Sequence, residues 1–242
     1  MGDHIKKCLG FLIHFVLMLS SISMSYAGSG VTLGNGTRVI IHSDEKRISF
    51  LVRNDMDFPM YFHGQVLNKE KTTFSPFFIV SPEVFEIKNG SVDFPQLIKL
   101  TNKLPEDRES LFYLRGHFLP AMNERMVGKN AINVSYVIQM KLFHRPASLR
   151  ASFDAIDEVA DQLDFKLNGM SLLVKNKSPY YITFNYLHSE GYELQLPSDP
   201  MIEPFGQIEI SLPKPNIPSV TWTLINDGGF STKPLTKEFK ND

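Results

Sequence analysis

The segment at residues 132–146 limits the possible folds of this chain more than any other. Ile132, Val134, Tyr136, Ile138 and Met140 alternate with mostly polar side chains, and the run leads directly into Lys141. A period of two predicts a β-strand with one buried face. That apolar face needs a covering surface, which either another sheet of the same protein or a second protein can supply.

The first 27 residues are expected to be a secretory signal peptide. Lys6 and Lys7 precede an apolar run at residues 9–19, and a polar segment then ends in the small residue Ala27. This order is typical of a cleavable signal, and the apolar run is far shorter than the ~20 residues that span a bilayer. We therefore expect cleavage near Ala27, export, and no membrane insertion.

Composition narrows the class of protein further. Cys8, the one cysteine in the sequence, lies inside the predicted signal, so the exported chain is expected to depend on apolar burial instead of disulfides. Lys and Arg number 25 against 26 Asp and Glu, with a formal net charge of −1. This balance gives no electrostatic argument for nucleic acid or a membrane surface as a partner.

Short alternating or β-branched runs follow one another along the rest of the chain. Predicted strands cover residues 39–41, 48–52, 60–62, 77–80, 97–100, 111–114, 132–143, 171–175, 180–186, 207–212 and 220–225. Within 154–163, the residues Ile156, Val159, Ala160 and Leu163 follow helical spacing, which predicts a short amphipathic helix or turn. Many short strands favour an all-β protein with two β-sandwich domains, at residues 28–147 and 148–242.

The sequence contains few signs of enzyme chemistry. Its histidines are scattered without the spacing of a zinc site, and there is no nucleophile elbow and no phosphate loop. Paired acids such as Asp157 and Glu158 fit a solvated surface better than acid–base catalysis. We expect a protein that is not an enzyme and that has no catalytic residues, no bound metal and no cofactor.

Two cations and one charged cluster allow two interpretations each. Arg38 opens an early strand and Lys141 lies near the end of the last strand of the first domain, so they are either ordinary surface charges or a pocket for a carboxylate. Spacing alone favours surface charges. The cluster at residues 107–110 is either a surface turn or a set of salt bridges between the domains.

Seven short motifs follow one another along the chain: VTLG at 31–34, TRVI at 37–40, PFFIVSP at 76–82, LPEDRESLF at 104–112, KLFHRP at 141–146, KNKSPYYIT at 175–183 and INDGG at 225–229. In this order they resemble the motifs of the periplasmic chaperones of the chaperone–usher pilus pathway, the PapD-like family. The resemblance implies two immunoglobulin-like β-sandwich domains arranged in an L. It also implies a periplasmic protein that needs no ATP.

The resemblance further implies how such a protein would work. Fimbrial (pilus) subunits would bind along the donor strand at residues 132–143, whose side chains Ile132, Val134, Tyr136 and Ile138 would complete the subunit fold by donor-strand complementation. The chaperone would then deliver the subunits to an outer-membrane usher. Free copies would be able to associate with each other through the same strand.

The resemblance also assigns charged residues. Arg38 and Lys141 look like the pair that anchors the C-terminal carboxylate of the subunit. Lys99, Glu109 and Asp227 look like the interdomain salt bridge, with a lysine where the family usually has an arginine and therefore without the bidentate fork. The absence of cysteine after the predicted signal and the brief segment 121–131 before the donor strand favour the short-loop subclass of the family.

Two other classes of protein remain as alternatives. A secreted β-sandwich fimbrial structural component or adhesin would be expected to carry a donor extension and often a disulfide, and neither is evident in the sequence. A secreted sandwich enzyme would need a catalytic constellation.

Overall fold

The computed structural model describes residues 30–101, 103–121, 134–150 and 154–239. The predicted signal, Ile132 and residues 122–131 of the segment before the donor strand lie outside the described residues. The described residues form two β-sandwich units, so the predicted all-β, two-domain class is confirmed. The domain boundary at 147/148 stays a prediction.

The first unit is formed by three sheets in its described part. Its strands are β1 (Val31–Leu33), β2 (Arg38–His42), β3 (Arg47–Ser49), β4 (Val52–Asn54), β5 (Met60–Leu67), β6 (Phe78–Ser81), β7 (Val84–Ile87), β8 (Ser91–Asp93), β9 (Gln96–Lys99), β10 (Ser110–Pro120) and β11 (Tyr136–Arg145). The largest sheet has the order β2-β11-β10-β5-β7. The two smaller sheets have the orders β1-β4-β8 and β3-β9-β6.

The second unit begins after a 3-10 turn at Ala147–Leu149. Its elements are α1 (Ala155–Val159), a 3-10 turn at Ala160–Gln162, β12 (Leu163–Asn168), β13 (Ser171–Asn176), β14 (Ile182–Ser189), β15 (Tyr192–Glu193), β16 (Met201–Ile202), β17 (Gln207–Ser211), β18 (Ser219–Leu224) and β19 (Leu235–Glu238). One sheet has the order β12-β13-β17. The other has the order β15-β14-β18-β19, with β16 paired to β14.

The helix predicted at 154–163 is shorter than its apolar spacing suggested. The Asp154 side chain caps α1 by accepting hydrogen bonds from the backbone N–H groups of Ile156 and Asp157. The helix ends at Val159, and Leu163 opens β12. Leu163 is buried as a strand residue, so the spacing predicted its burial correctly and its secondary structure wrongly.

Each unit has its own apolar core, and a third cluster joins the two units. This joint cluster contains Leu67, Leu111, Tyr113 and Phe143 from the first unit and Tyr181 from the second. The rings of Phe143 and Tyr181 lie 5.6 Å apart between centroids. The contact between the units therefore has an apolar part as well as the charged part described below.

The two faces of β11 differ as the alternation predicts. Met140 is buried in the first core, and the half-buried side chains of Tyr136 and Ile138 pack against that core. Val134, which precedes the strand, is 51% exposed, and Val137 on the opposite face is 58% exposed. The apolar face of β11 is thus covered by the protein's own core at Met140 and becomes more exposed toward Val134.

His144 is a buried titratable side chain near the end of β11. The residue is 3% exposed, and neither ring nitrogen has a hydrogen-bond partner within the described part of the chain. The ring of Phe78 lies 6.2 Å away between centroids. Burial, and then the nearby charges of Lys99 and His42, lower the pKa of His144 to about 4.

The low pKa of His144 predicts that the folded protein loses stability in mild acid. The variant His144→Phe should lack this pH-dependent loss. The unfolded chain takes up a proton near pH 6.5, whereas the folded chain resists protonation until about pH 4. Stability from neutral His144 is therefore complete above pH 6.5 and falls as the pH drops toward 4, by up to roughly 3 kcal/mol.

Urea unfolding of wild type and His144→Phe between pH 7.5 and 4 measures this effect. We expect the wild-type free energy of unfolding to fall relative to that of the variant as the pH decreases. Parallel pH profiles for the two proteins would show that His144 is not held neutral in the fold.

Candidate functional site

Arg38 and Lys141 lie directly opposite each other on neighbouring strands. β2 pairs with β11 in parallel, and the register aligns Lys141 with Arg38. Both residues line a cleft of about 650 Å³, which also receives residues from the second unit. Its lining is Thr37, Arg38, Lys71, Tyr113, Gln139, Lys141, Thr183, Phe184, Ser198, Asp199, Pro200 and Ile225.

The guanidinium of Arg38 is held between the two units. Its Nη1 donates a hydrogen bond of 3.2 Å to the backbone oxygen of Ile225, and its carbon Cζ lies 5.8 Å from the centroid of the Phe143 ring. Its buried Nε has no hydrogen-bond partner among the described residues. Burial lowers the pKa of Arg38, and the charges of Asp227, Glu109 and Asp154 oppose that change.

Lys141 forms an ion pair with a residue of the second unit. Its Nζ lies 3.3 Å from Oδ1 of Asp199. Burial lowers the pKa of Lys141, and the Asp199 carboxylate opposes the decrease. A third cation, Lys71, places its Nζ 4.2 Å from the centroid of the Tyr113 ring, within favourable cation–π distance.

A buried arginine at the end of β11 joins the two units. Arg145 Nε donates to Glu109 Oε1 at 2.8 Å, and its two terminal nitrogens donate to the two carboxylate oxygens of Asp227 at 2.6 and 2.7 Å. The Arg145 and Glu109 side chains are almost completely buried. Burial disfavours the charge on Arg145, but its hydrogen bonds to Asp227 and Glu109 outweigh this and raise its pKa above the ordinary value.

The predicted cation of this salt bridge is corrected from Lys99 to Arg145. Lys99 lies on β9, in a sheet that contains neither β10 nor β11, and its amine donates to the backbone oxygen of Ser43. The two predicted acids, Glu109 and Asp227, do share one cation. Only an arginine has the planar fork that contacts three oxygens of two carboxylates at once, so no lysine replaces it here.

Glu109 has a second task at the same place. Its Oε2 accepts a hydrogen bond of 2.8 Å from the backbone N–H of Tyr181 in the second unit. Burial raises the pKa of Glu109, and the Arg145 charge and the Tyr181 N–H oppose the rise. Within the charged cluster at 107–110, Glu109 therefore connects the units, whereas Asp107 pairs with its neighbour Arg108 at the surface.

One edge of β11 has no strand partner over half its length. β10 pairs with residues 136–144 of β11 on one side, whereas β2 pairs with residues 141–145 on the other. Among the described residues, the main chain at 136–140 is therefore open on the β2 side. This open edge leads directly to Lys141 and Arg38.

Other kinds of site find no support in the described part of the chain. There, no group of three or more His, Cys, Asp or Glu side chains is arranged to hold a metal ion. No helix of the described residues is long and apolar enough to cross a membrane.

Sequence reasoning did not assign roles to three residues of this region. Arg145 was visible as the one arginine of the KLFHRP motif, two positions after Phe143 on the same face of the strand. Asp199 and Lys71 gave no comparable signal, because their places depend on the approach of the second unit and on the loop after β5. The structure brings Arg38 and Lys141 together, and their role as a carboxylate anchor stays a prediction.

The N-terminal and C-terminal parts of the chain match two family models. Residues 30–150 match the PapD N-terminal domain of pili and flagellar-assembly chaperones, and residues 158–235 match the C-terminal domain of the pili assembly chaperone PapD. The chain is 29% identical over 238 residues to chaperone protein FimC of Escherichia coli K12, covering 97% of this chain and 94% of that protein. It is 30% identical over 207 residues to chaperone protein SefB of Salmonella enteritidis, covering 83% and 81%.

Solved structures share the fold. The E. coli chaperone DraB superposes with a TM-score of 0.76 at 27% identity, over 87% of this chain and 99% of that one. The SafB chaperone of Salmonella enterica, solved in complex with SafA pilin, gives the same TM-score at 23% identity over 89% and 99%. Because both family models match in order and together span most of the sequence, this chain belongs to the PapD family of pilus assembly chaperones.

Proposed function

We propose that this chain is a periplasmic chaperone that captures unassembled pilus subunits on β11 and passes them to an outer-membrane usher. The observation that carries the proposal is the position of Arg38 and Lys141, in direct register at the end of the open edge of β11. An edge that ends in two cations suits an extended peptide that terminates in a carboxylate.

The open edge supplies the main-chain part of the binding. Residues 136–140 have unpaired backbone N–H and C=O groups on the β2 side, within the described part of the strand. An incoming strand of the subunit would pair with them, as in other complexes formed by β-augmentation. The same pairing would cover the exposed strand edge of the subunit, which otherwise favours aggregation.

The side chains of the same segment supply the apolar part. Val134 is half exposed, and Tyr136 and Ile138 are only partly covered by the core of the chaperone. Each aliphatic side chain that becomes fully buried in a subunit groove contributes roughly 1.5–3 kcal/mol. Together with Ile132, which precedes the described strand, these side chains would form the donor set.

The two cations supply a fixed end point for the subunit. A terminal carboxylate between them would accept charge-assisted hydrogen bonds from the Arg38 guanidinium and the Lys141 ammonium, and such bonds are stronger than neutral ones. Because the site lies at one end of the edge, it would also set the register of the bound strand. A one-residue slip would turn the wrong side chains toward the subunit.

The comparisons support this proposal from outside the chain. The relatives are named as chaperones, and one solved neighbour is a complex of a chaperone with a pilin. Another neighbour, SfaE, is described as a periplasmic chaperone and is 26% identical with a TM-score of 0.70. The predicted signal with cleavage near Ala27 fits the same compartment.

Removing the anchoring cations should abolish subunit capture. In Arg38→Ala/Lys141→Ala, the terminal carboxylate would lose hydrogen bonds to charged groups worth roughly 1.5–3 kcal/mol each, so affinity should fall by at least tenfold. The measurement is the yield of soluble pilus subunit that copurifies from the periplasm when both proteins are co-expressed. Arg150→Ala, which removes an exposed cation paired with Asp44, is the control and should capture normally. Equal yields with wild type and the double variant would refute the anchor.

A charge on the donor face should block capture without unfolding the chaperone. Val134→Asp places a carboxylate where a subunit groove must be dry, whereas Val137→Asp places the same charge at a similarly exposed position on the opposite face. We expect Val134→Asp to lose the copurifying subunit and Val137→Asp to keep it, with unchanged thermal unfolding for both. If both variants capture subunit equally well, the donor strand does not work through this face.

A further inference from the structure

The proposed anchor lysine already holds a carboxylate in the free protein. Asp199 lies between β15 and β16 of the second unit, and its Oδ1 is 3.3 Å from Lys141 Nζ. The Lys141 side chain is 22% exposed and that of Asp199 is 52% exposed. The acid is therefore the outer, more solvated member of the pair.

The rest of the cleft carries an excess of positive charge. Arg38, Lys71 and Lys141 are among its lining residues, and Asp199 is the one acid that lines it in the described part of the chain. The ammonium of Lys71 lies over the Tyr113 ring, and none of the ion pairs within the described residues includes Lys71. The lining of the cleft thus keeps a net positive charge even while Asp199 is paired with Lys141.

We propose that the Asp199 carboxylate takes the place of the subunit's terminal carboxylate in the free chaperone. Asp199 pairs with the Lys141 ammonium there, and this ion pair must break when the subunit binds. This inference rests on the proposed function and adds a specificity-determining residue to it. Asp199 is a residue of the same chain, so it competes at an effective concentration in the millimolar range or above.

Competition by Asp199 favours ligands that make further contacts with the chaperone over ligands that bind through a carboxylate alone. A small carboxylate that meets Lys141 without other contacts has to outcompete Asp199 on charge alone. A subunit that also pairs with the edge of β11 holds its own carboxylate close to Lys141. That carboxylate therefore competes at an effective concentration comparable to that of Asp199. Because an exposed ion pair contributes little to stability, a bound strand can displace Asp199 at low cost.

The first test measures the ion pair in the free protein and needs no subunit. The pKa of Lys141 can be followed by NMR after isotopic methylation of the lysines, in wild type and in Asp199→Asn. We expect a lower pKa for Lys141 in the variant, because the neighbouring negative charge is gone. An unchanged pKa would overturn the inference, since Asp199 would then not occupy Lys141 in solution.

The second test measures competition with a peptide that copies the last fifteen or so residues of a pilus subunit encoded beside this chaperone. Asp199→Asn should bind the peptide with a free C-terminal carboxylate about two- to fivefold more tightly than wild type does, as expected for removal of one exposed ion pair. The same peptide with an amidated end should bind both proteins equally. Glu203→Gln, which breaks the Lys69–Glu203 ion pair between the units at similar exposure, is the matched control and should change neither affinity.

Lys141→Ala distinguishes failure of this inference from failure of the proposed function. If Lys141→Ala weakens binding of the free-acid peptide but Asp199→Asn does not strengthen it, the carboxylate anchor is supported and competition by Asp199 is refuted. If Lys141→Ala leaves binding of the free-acid peptide unchanged, both the carboxylate anchor and competition by Asp199 are refuted.

Discussion

The buried contact of Arg145 with Glu109 and Asp227 holds the second-unit side of the cleft against the first-unit side. Arg145 ends β11 of the first unit, Glu109 directly precedes the neighbouring strand β10, and Asp227 follows β18 of the second unit. Breaking a buried ion pair by removing one partner costs roughly 3–5 kcal/mol, because a charge then remains buried without compensation. An apolar contact of the same size would tolerate sliding, whereas the bidentate geometry between Arg145 and Asp227 fixes both distance and orientation.

This contact lies on the same strand as the proposed binding elements. β11 carries the open edge at residues 136–140, then Lys141, and then Arg145 four residues further on. Asp227 lies two residues after Ile225, whose carbonyl accepts a hydrogen bond from Arg38. The salt bridge therefore lies next to both the cation pair and the segment of the second unit that lines the cleft, so one strand carries the proposed donor and anchor residues together with the arginine that joins the units.

The sequence predicted the individual strands of this arrangement better than the pairing between them. Alternation identified β11 and the burial of Met140, because a period of two is a local property. The predicted strand at 48–52 is in fact divided between β3 and β4, which belong to different sheets. Alternation along the sequence does not reveal such a change of sheet. The register of Arg38 with Lys141 joins residues about a hundred positions apart through a parallel pairing, which no local pattern contains.

The choice of cation in the salt bridge shows the same limit. Lys99 and Arg145 both lie at strand ends of the first unit, and position alone allows either to meet Glu109. Burial decides between them, because one cation must satisfy two carboxylates away from water, and the guanidinium has the donors to do so. The number of donors on a guanidinium favours Arg145 already at the level of sequence, whereas the pairing of Lys141 with Asp199 depends on the approach of the second unit.

The most direct test of this account is the distance distribution between the two units, measured by pulsed electron paramagnetic resonance with spin labels at Asn89→Cys and Met170→Cys. Both positions are exposed, one in each unit, and Cys8 in the predicted signal is the one native cysteine. The account predicts one narrow distribution that stays narrow in Lys99→Met and broadens in Arg145→Lys, which keeps the charge and loses the fork. A distribution that remains equally narrow in Arg145→Lys would contradict the claim that the Arg145 contact fixes the two units.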